Sequence, residues 1–203
     1  MNVFPLFPSV VGASILDKRV NKYYGALMGE EFTSDSRRYD APDSYPSVCR
    51  KVLDKHPELK SIILQEFNKF KNETLKLNST DFDITTSWMT ETNYGGYCHY
   101  HNHKNCYYSG VMYIDNHASG DLVFKNVLNN LHSMYVNPPD EWTQETYQTF
   151  YIRPLQNLVV FFPSYLEHKI DLYIEKKTRY SLAFNLHPVG KYGEADSYIE
   201  LKL

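Results

Sequence analysis

The sequence is short of cysteine. Its 203 residues hold three, Cys49, Cys98 and Cys106, with no CxxC pair among them. That speaks against a structural zinc site built on thiolates, and the odd count implies no disulfide framework. A strong excess of charge is missing too: the formal net charge is −3, with no basic stripe to serve as a footprint for nucleic acid. No uninterrupted apolar run reaches the length of a membrane span, and the first residues lack a basic-then-apolar leader pattern. Internal repeats and low-complexity tracts are absent as well. These absences lead us to expect a soluble, cytoplasmic protein without membrane or nucleic-acid partners.

Aromatic side chains are abundant, with 18 Tyr and 11 Phe, and 42% of the residues are hydrophobic. Aromatic residues favour strands, so the composition leans towards β structure. The length suits one domain over residues 1–203. Residues 1–12 carry two prolines and read as an extended lead-in. Ile15, Leu16, Val20, Tyr23, Tyr24 and Leu27 then fall at helical spacing, with Gly29 as a stop. A second helical stretch runs from about Pro46 to Leu77, split at Pro57, with an apolar stripe of Leu59, Ile62, Ile63, Phe67 and Phe70.

Beyond residue 80 the period becomes two. Strands are expected near 82–92, 96–104, 108–115, 120–125, 149–153, 156–162, 167–174 and 178–187. Eight short strands without intervening helices point to a mainly β fold with N-terminal helices, a double-stranded β-helix of the jelly-roll or cupin-like barrel kind. In that frame residues 1–80 supply the lead-in and packing helices, 81–188 the barrel, and 189–203 a tail. The insert 126–148, with Tyr135 and Trp142, is a candidate lid or substrate-contact loop.

The stretch Cys98-His99-Tyr100-His101-Asn102-His103 places three histidines on alternate positions. On a strand they would share a face, neighbours lying roughly 7 Å apart along the backbone, close enough to converge on one ion. His168, just after the apolar run "VVFF", offers a ligand from another strand. Imidazoles suit Fe(II), Zn(II), Cu(II) and Ni(II) alike, so the set does not choose the metal. His56, His117 and His132 read as surface or loop residues, and His187 as the close of the last strand. In "KKTRYSLAFNLHP", Arg179, Ser181, Ala183 and Asn185 share one strand face, and Tyr180, Leu182, Phe184 and Leu186 the other. The second face is core. The first, small and polar with a cation at one end, fits the lining of a cavity for an anion.

Four blocks, in order, resemble the 2-oxoglutarate/Fe(II)-dependent oxygenases common in marine bacteria and their phages: "LFPSVV", "HNHKNCYYSGVMYID", "VVFFPSYLEHKI" and "RYSLAFN". The resemblance implies iron ligation by His101, His103 and His168, and anchoring of the distal carboxylate of 2-oxoglutarate by Arg179 with help from Ser181 and Tyr113. It also implies a dioxygenase that consumes O2 and 2-oxoglutarate, hydroxylates a substrate, and releases succinate and CO2. His99 becomes a candidate neighbour of the ligands. Most of the superfamily has a carboxylate where this chain has His103, so Asp115 is an alternative third ligand. Tyr107, Tyr108, Phe161 and Phe162 are candidate walls. The substrate would be a small molecule or peptide, a homodimer would be compatible, and a phage-encoded chain would work in the host cytoplasm. Two other readings stay open: a cupin-like three-histidine dioxygenase that does not use 2-oxoglutarate, and a non-catalytic jelly-roll binding module.

Overall fold

Alternating apolar residues can bury one face of a strand only against another layer, and here one sheet finds a different layer on each side. The computed structural model describes residues 8–33, 41–126, 140–141, 143 and 146–201. Among these, eleven strands form in chain order: β1 (Gly12–Ile15), β2 (Ser44–Pro46), β3 (Asp81–Thr92), β4 (Cys98–His101), β5 (Tyr108–Tyr113), β6 (Leu122–Lys125), β7 (Thr149–Ile152), β8 (Leu158–Pro163), β9 (His168–Ile170), β10 (Arg179–Tyr192) and β11 (Ile199–Leu201). The larger sheet runs β1-β8-β5-β10-β3-β2, with β11 paired to the far end of β10, and the smaller runs β4-β9-β6-β7. Every strand pair is antiparallel. This is the expected double-stranded β-helix.

The outer face of the larger sheet carries Met112, Val159, Phe161, Leu182, Phe184 and Leu186, all buried against helix α2 (Pro57–Phe70) and its surroundings. Pro57 starts α2 in the first turn, where its missing N–H costs nothing. Leu59, Ile63 and Phe67 form the buried stripe, with Ile62 and Phe70 at its margins. The Phe67 ring meets Phe82, Tyr108 and Phe161 with centroids 5.3–5.4 Å apart, edge-on or tilted as aromatic quadrupoles prefer. Beyond Phe70 the helix ends in a wider π turn, and the buried Lys71 Nζ donates to the carbonyls of Leu77 (2.8 Å) and Thr80 (2.6 Å). The inner face turns Val111, Tyr113, Val160 and Phe162 towards Leu122 and Phe124 of the smaller sheet, which makes a second core between the sheets.

Several boundaries differ from the sequence reading. Ile15 is not helical: it ends β1, exposed, and the helical turns start at Lys18, with a 3-10 stretch leading into α1 (Tyr24–Met28). Ser44–Pro46 is a strand rather than the start of a helix. β10 runs past His187 and Pro188 to Tyr192, so part of the expected tail belongs to the sheet. Proline is tolerated there because β5 stops pairing at Leu186, and Pro188 faces β3 alone.

Candidate active site

β10 lines the space between the sheets from end to end. Arg179, Ser181, Ala183 and Asn185 share its inner face as parity requires. Six residues of strand separate Arg179 from Asn185, roughly 20 Å of backbone. One end of this track meets the histidines, and the other is closed over a buried guanidinium.

At the histidine end, β4 pairs with β9 so that His101 stands directly opposite His168, and Phe124 of β6 flanks His168 on the other side. His103 lies beyond the end of β4, its backbone N–H donating to the Ser164 carbonyl at 2.9 Å. The ring centroids are 4.3 Å apart for His101 and His168, 5.1 Å for His103 and His168, and 5.3 Å for His101 and His103. One ring nitrogen from each lies within 4.8 Å of the others, an arrangement that can hold a metal ion.

Each Nδ1 is already engaged: His101 with the His99 carbonyl (2.9 Å), His168 with the Leu166 carbonyl (2.9 Å), and His103 with Asn185 Oδ1 (2.7 Å). Such contacts hold the proton on Nδ1 and leave Nε2 as the free donor of a neutral imidazole, the form a metal takes. Burial also favours the neutral state. It drives the His168 pKa down to about 3 and lowers that of His103. The donor set therefore fits Fe(II), which imidazole nitrogens bind well.

Asn185 is oriented by a polar network that runs through three of the quoted blocks. Its Nδ2 donates to Thr86 Oγ1 (3.1 Å), while Oδ1 accepts from Ser109 Oγ (2.8 Å) as well as from His103. Ser109 Oγ lies 2.8 Å from Ser164 Oγ, and both serines are buried. The sequence placed Asn185 on the polar cavity face of its strand but gave Ser109 and Ser164 no role, and did not link Asn185 to His103. The signal was present: each is a small polar residue on a face otherwise committed to burial.

At the other end Arg179 is only 2% exposed, yet it makes none of the ion pairs formed among the described residues. Nη1 donates to the Gly120 carbonyl (2.6 Å), Nη2 to Thr92 Oγ1 (3.3 Å), and the guanidinium lies 5.3 Å from the centroid of the Tyr173 ring. Its Nε is buried without a partner, as is the Tyr113 hydroxyl. Burial pushes the Tyr113 pKa up to about 12, so the hydroxyl remains a proton donor. Ser181 pairs directly with Tyr113 across the β5–β10 ladder, so both point to the same side as Arg179. Gly120 makes room for the cation: at φ +72°, a Cβ there would sit 2.4 Å from Arg179 Nη1. A buried cation without a counter-ion beside unpartnered donors fits an anionic ligand such as a carboxylate.

Residues 86–185 match a family model described as "Putative 2OG-Fe(II) oxygenase". The match covers 100 of the chain's 203 residues, and that stretch is similar to the 2OG-Fe(II) oxygenases. The matched span opens at Thr86 and closes at Asn185, the two residues that meet across the network behind His103. Solved structures with a similar fold include a 2OG-Fe(II) oxygenase family oxidoreductase from Burkholderia pseudomallei, at 12% identity and TM-score 0.58, covering 84% of this chain and 79% of that one. A Pseudomonas putida prolyl-4-hydroxylase is similar at 14% identity and TM-score 0.57, covering 90% of this chain and 94% of the other. HygX from Streptomyces hygroscopicus, solved with nickel, 2-oxoglutarate and hygromycin B bound, aligns at 9% identity and TM-score 0.63, covering 93% and 88%. No curated protein matches the sequence. The oxygenase takes Fe(II), 2-oxoglutarate and O2 as its cofactor and cosubstrates, and no helix among its described residues is long and apolar enough to cross a membrane.

Other expected residues fall elsewhere in the oxygenase. His99 does not turn its ring to the cluster: pairing shifts between Cys98 and His101, and the exposed ring packs edge-on against Tyr97 at 5.1 Å. Only its backbone carbonyl supports a ligand. Asp115 is outside the histidine group and accepts from Lys177 Nζ at 2.5 Å. Phe162 does wall the site, 4.6 Å from the His168 ring, whereas Tyr108 and Phe161 face the helical side and Tyr107 is exposed. His117 lies in a loop, as one half of its expectation had it, but is buried rather than at the surface, with Nδ1 3.1 Å from the Tyr173 hydroxyl. His187 lies inside β10 rather than at its end. His132, Tyr135, Trp142 and most of the insert 126–148 lie outside the described residues.

Proposed function

We propose that the oxygenase hydroxylates a C–H bond of a small-molecule or peptide substrate, with His101, His103 and His168 holding Fe(II) and Arg179, Ser181 and Tyr113 holding the distal carboxylate of 2-oxoglutarate. The observation that carries this reading is the pairing of two incomplete sites along one strand. Three imidazoles with committed Nδ1 atoms stand at one end, and a buried cation without an ion-pair partner stands at the other.

When bound, iron couples oxidative decarboxylation of 2-oxoglutarate by O2 to oxygen insertion, so that one oxygen atom ends in succinate, the other in the substrate hydroxyl, and CO2 leaves. The chain's own residues do the arranging. His101, His103 and His168 would supply neutral donors from one side and leave the opposite side open. Arg179 would set the far end of the cosubstrate with a charge-assisted contact, while the Tyr113 and Ser181 hydroxyls donate to the same carboxylate. Phe124 and Phe162, packed on His168, keep water from that side of the site.

A cupin-like enzyme that does not use 2-oxoglutarate has no need for a buried, unpaired Arg179. Succinate release measured with and without 2-oxoglutarate and Fe(II) tests the proposal. Succinate should form only with both, and should fall to background in His168→Ala. Oxygen consumption independent of 2-oxoglutarate would refute it.

A further inference from the structure

The Arg179 guanidinium is held between two loops that lie far apart in the chain: residues 114–121, between β5 and β6, and residues 171–178, between β9 and β10. The loops are bonded to each other at several points. Glu175 accepts from the backbone N–H groups of Ala118 (2.7 Å) and Ser119 (3.1 Å), Ser119 Oγ accepts from the Ile174 N–H (3.1 Å), and Lys177 donates to Asp115. The first loop brings the Gly120 carbonyl to Arg179 Nη1, and the second brings the ring of Tyr173.

Tyr173 is fixed at every part of the residue. It is fully buried, its N–H donates to the Gly96 carbonyl (2.8 Å), and its carbonyl accepts from the Gly95 N–H (2.8 Å). Its ring lies 5.3 Å from the guanidinium and against Gly120, where an added Cβ would come within 3.1 Å of Tyr173 Cδ2. Its hydroxyl donates to the Lys177 carbonyl. A phenol has one proton to give, so in the 3.1 Å contact with His117 Nδ1 the imidazole donates and the tyrosine accepts. Burial favours the states this needs, lowering the His117 pKa and raising that of Tyr173. His117 Nε2 is buried without a partner, and Glu175 Oε2, 3.7 Å from Nδ1, is beyond hydrogen-bond reach. The imidazole therefore directs its N–H to the tyrosine.

Resting on the function proposed above, we propose that Tyr173, held in place by His117, is a positioning residue for the cosubstrate: its ring confines the Arg179 guanidinium to one place and thereby selects a five-carbon 2-oxo diacid over its six-carbon homologue. An arginine side chain is long and flexible, and without the ring the guanidinium could swing into the space left beside it. The cation would then meet the carboxylate of a longer diacid as readily as that of 2-oxoglutarate. One methylene is worth about 10- to 200-fold in a rigid site and little in one that yields.

The test is titration of the anaerobic Fe(II) protein with 2-oxoglutarate and with 2-oxoadipate, followed by visible absorption. Wild type should prefer 2-oxoglutarate by about tenfold or more. Tyr173→Leu should weaken 2-oxoglutarate by about tenfold and narrow the preference to about threefold or less, with Fe(II) affinity kept within about twofold. Tyr173→Phe and His117→Leu keep the ring beside Arg179 and carry the test should Tyr173→Leu not fold. Each should weaken 2-oxoglutarate by about threefold, and the double variant by no more than either alone, because both remove the same contact. Equal affinity of wild type for the two diacids, an unchanged preference in Tyr173→Leu, a parallel loss of iron, or additive effects in the double variant would overturn the inference. A charge-transfer band in wild type with any of these results sinks only this inference, whereas iron binding without a band sinks the functional proposal.

Discussion

On the outer face of β10, Leu182, Phe184 and Leu186 press into a closed apolar core against α2, while on the inner face Arg179, Ser181 and Asn185 stand among buried polar groups, some without partners. The two faces alternate residue by residue along one strand, yet they obey different rules. A core face needs volume and shape, and apolar residues of similar size can exchange there at modest cost. A polar face buried to the same depth is costly unless every group is satisfied. Arg179 Nε and the Tyr113 hydroxyl are left unsatisfied by the protein alone, which fits the ligand proposed to complete them. The outer face holds the fold together, and the inner face is the one proposed to bind.

The comparison is broken most severely from the outer side. Phe67→Ala removes the ring that meets Phe82, Tyr108 and Phe161, and should cost about 3–5 kcal/mol of stability by thermal or denaturant unfolding. Iron affinity of the folded fraction should not change. From the inner side, His168→Ala should weaken Fe(II) binding by more than about 100-fold, above the 10- to 100-fold typical of losing an outer-shell partner, without loss of the folded state in circular dichroism. Arg179→Met should keep iron but weaken 2-oxoglutarate by about 30-fold or more, as losing one half of a buried charged contact does. Gly120→Ala should act in the same direction, since its methyl group would occupy the position of Nη1.

Asn185→Leu tests the network behind His103 and should lower iron affinity by about tenfold, with less effect on stability than Phe67→Ala. A separate effect is on the pH dependence of the metal-free protein. His103 and His168 have folded pKa values below their unfolded value of 6.5, that of His168 reaching about 3. The unfolded chain therefore takes up protons first as pH falls. Stability should be full above pH 6.5 and decline progressively towards pH 3, with the slope reduced in His168→Phe.

Much of this division is legible in the sequence. The period-two alternation of "RYSLAFNL" separates the two faces of β10 correctly, because a strand buried on both sides still cannot mix a guanidinium into an aromatic core. The strand positions from β3 to β10 follow from the same alternation. The histidine run is less transparent. Strict alternation puts His99, His101 and His103 on one face, but β4 shifts its pairing after Cys98 and ends at His101, so His99 turns away while His103 reaches the cluster from a loop. A bulge of this kind depends on what the neighbouring strand offers, and that strand lies 67 residues further on, at His168. The role of His117 was hidden for a similar reason: its burial comes from Tyr173, distant in sequence and adjacent only once the barrel closes.

The central claim is that one strand joins an iron site to a cosubstrate anchor. Its most direct test is an anaerobic titration of the metal-free protein with Fe(II) and then 2-oxoglutarate, followed by visible absorption, in wild type and Arg179→Met. The account predicts a charge-transfer band on adding 2-oxoglutarate to the iron-loaded wild type, and the same band in Arg179→Met only at concentrations about 30-fold or more higher. Identical titration curves for the two proteins, or iron binding with no band in either, would contradict it.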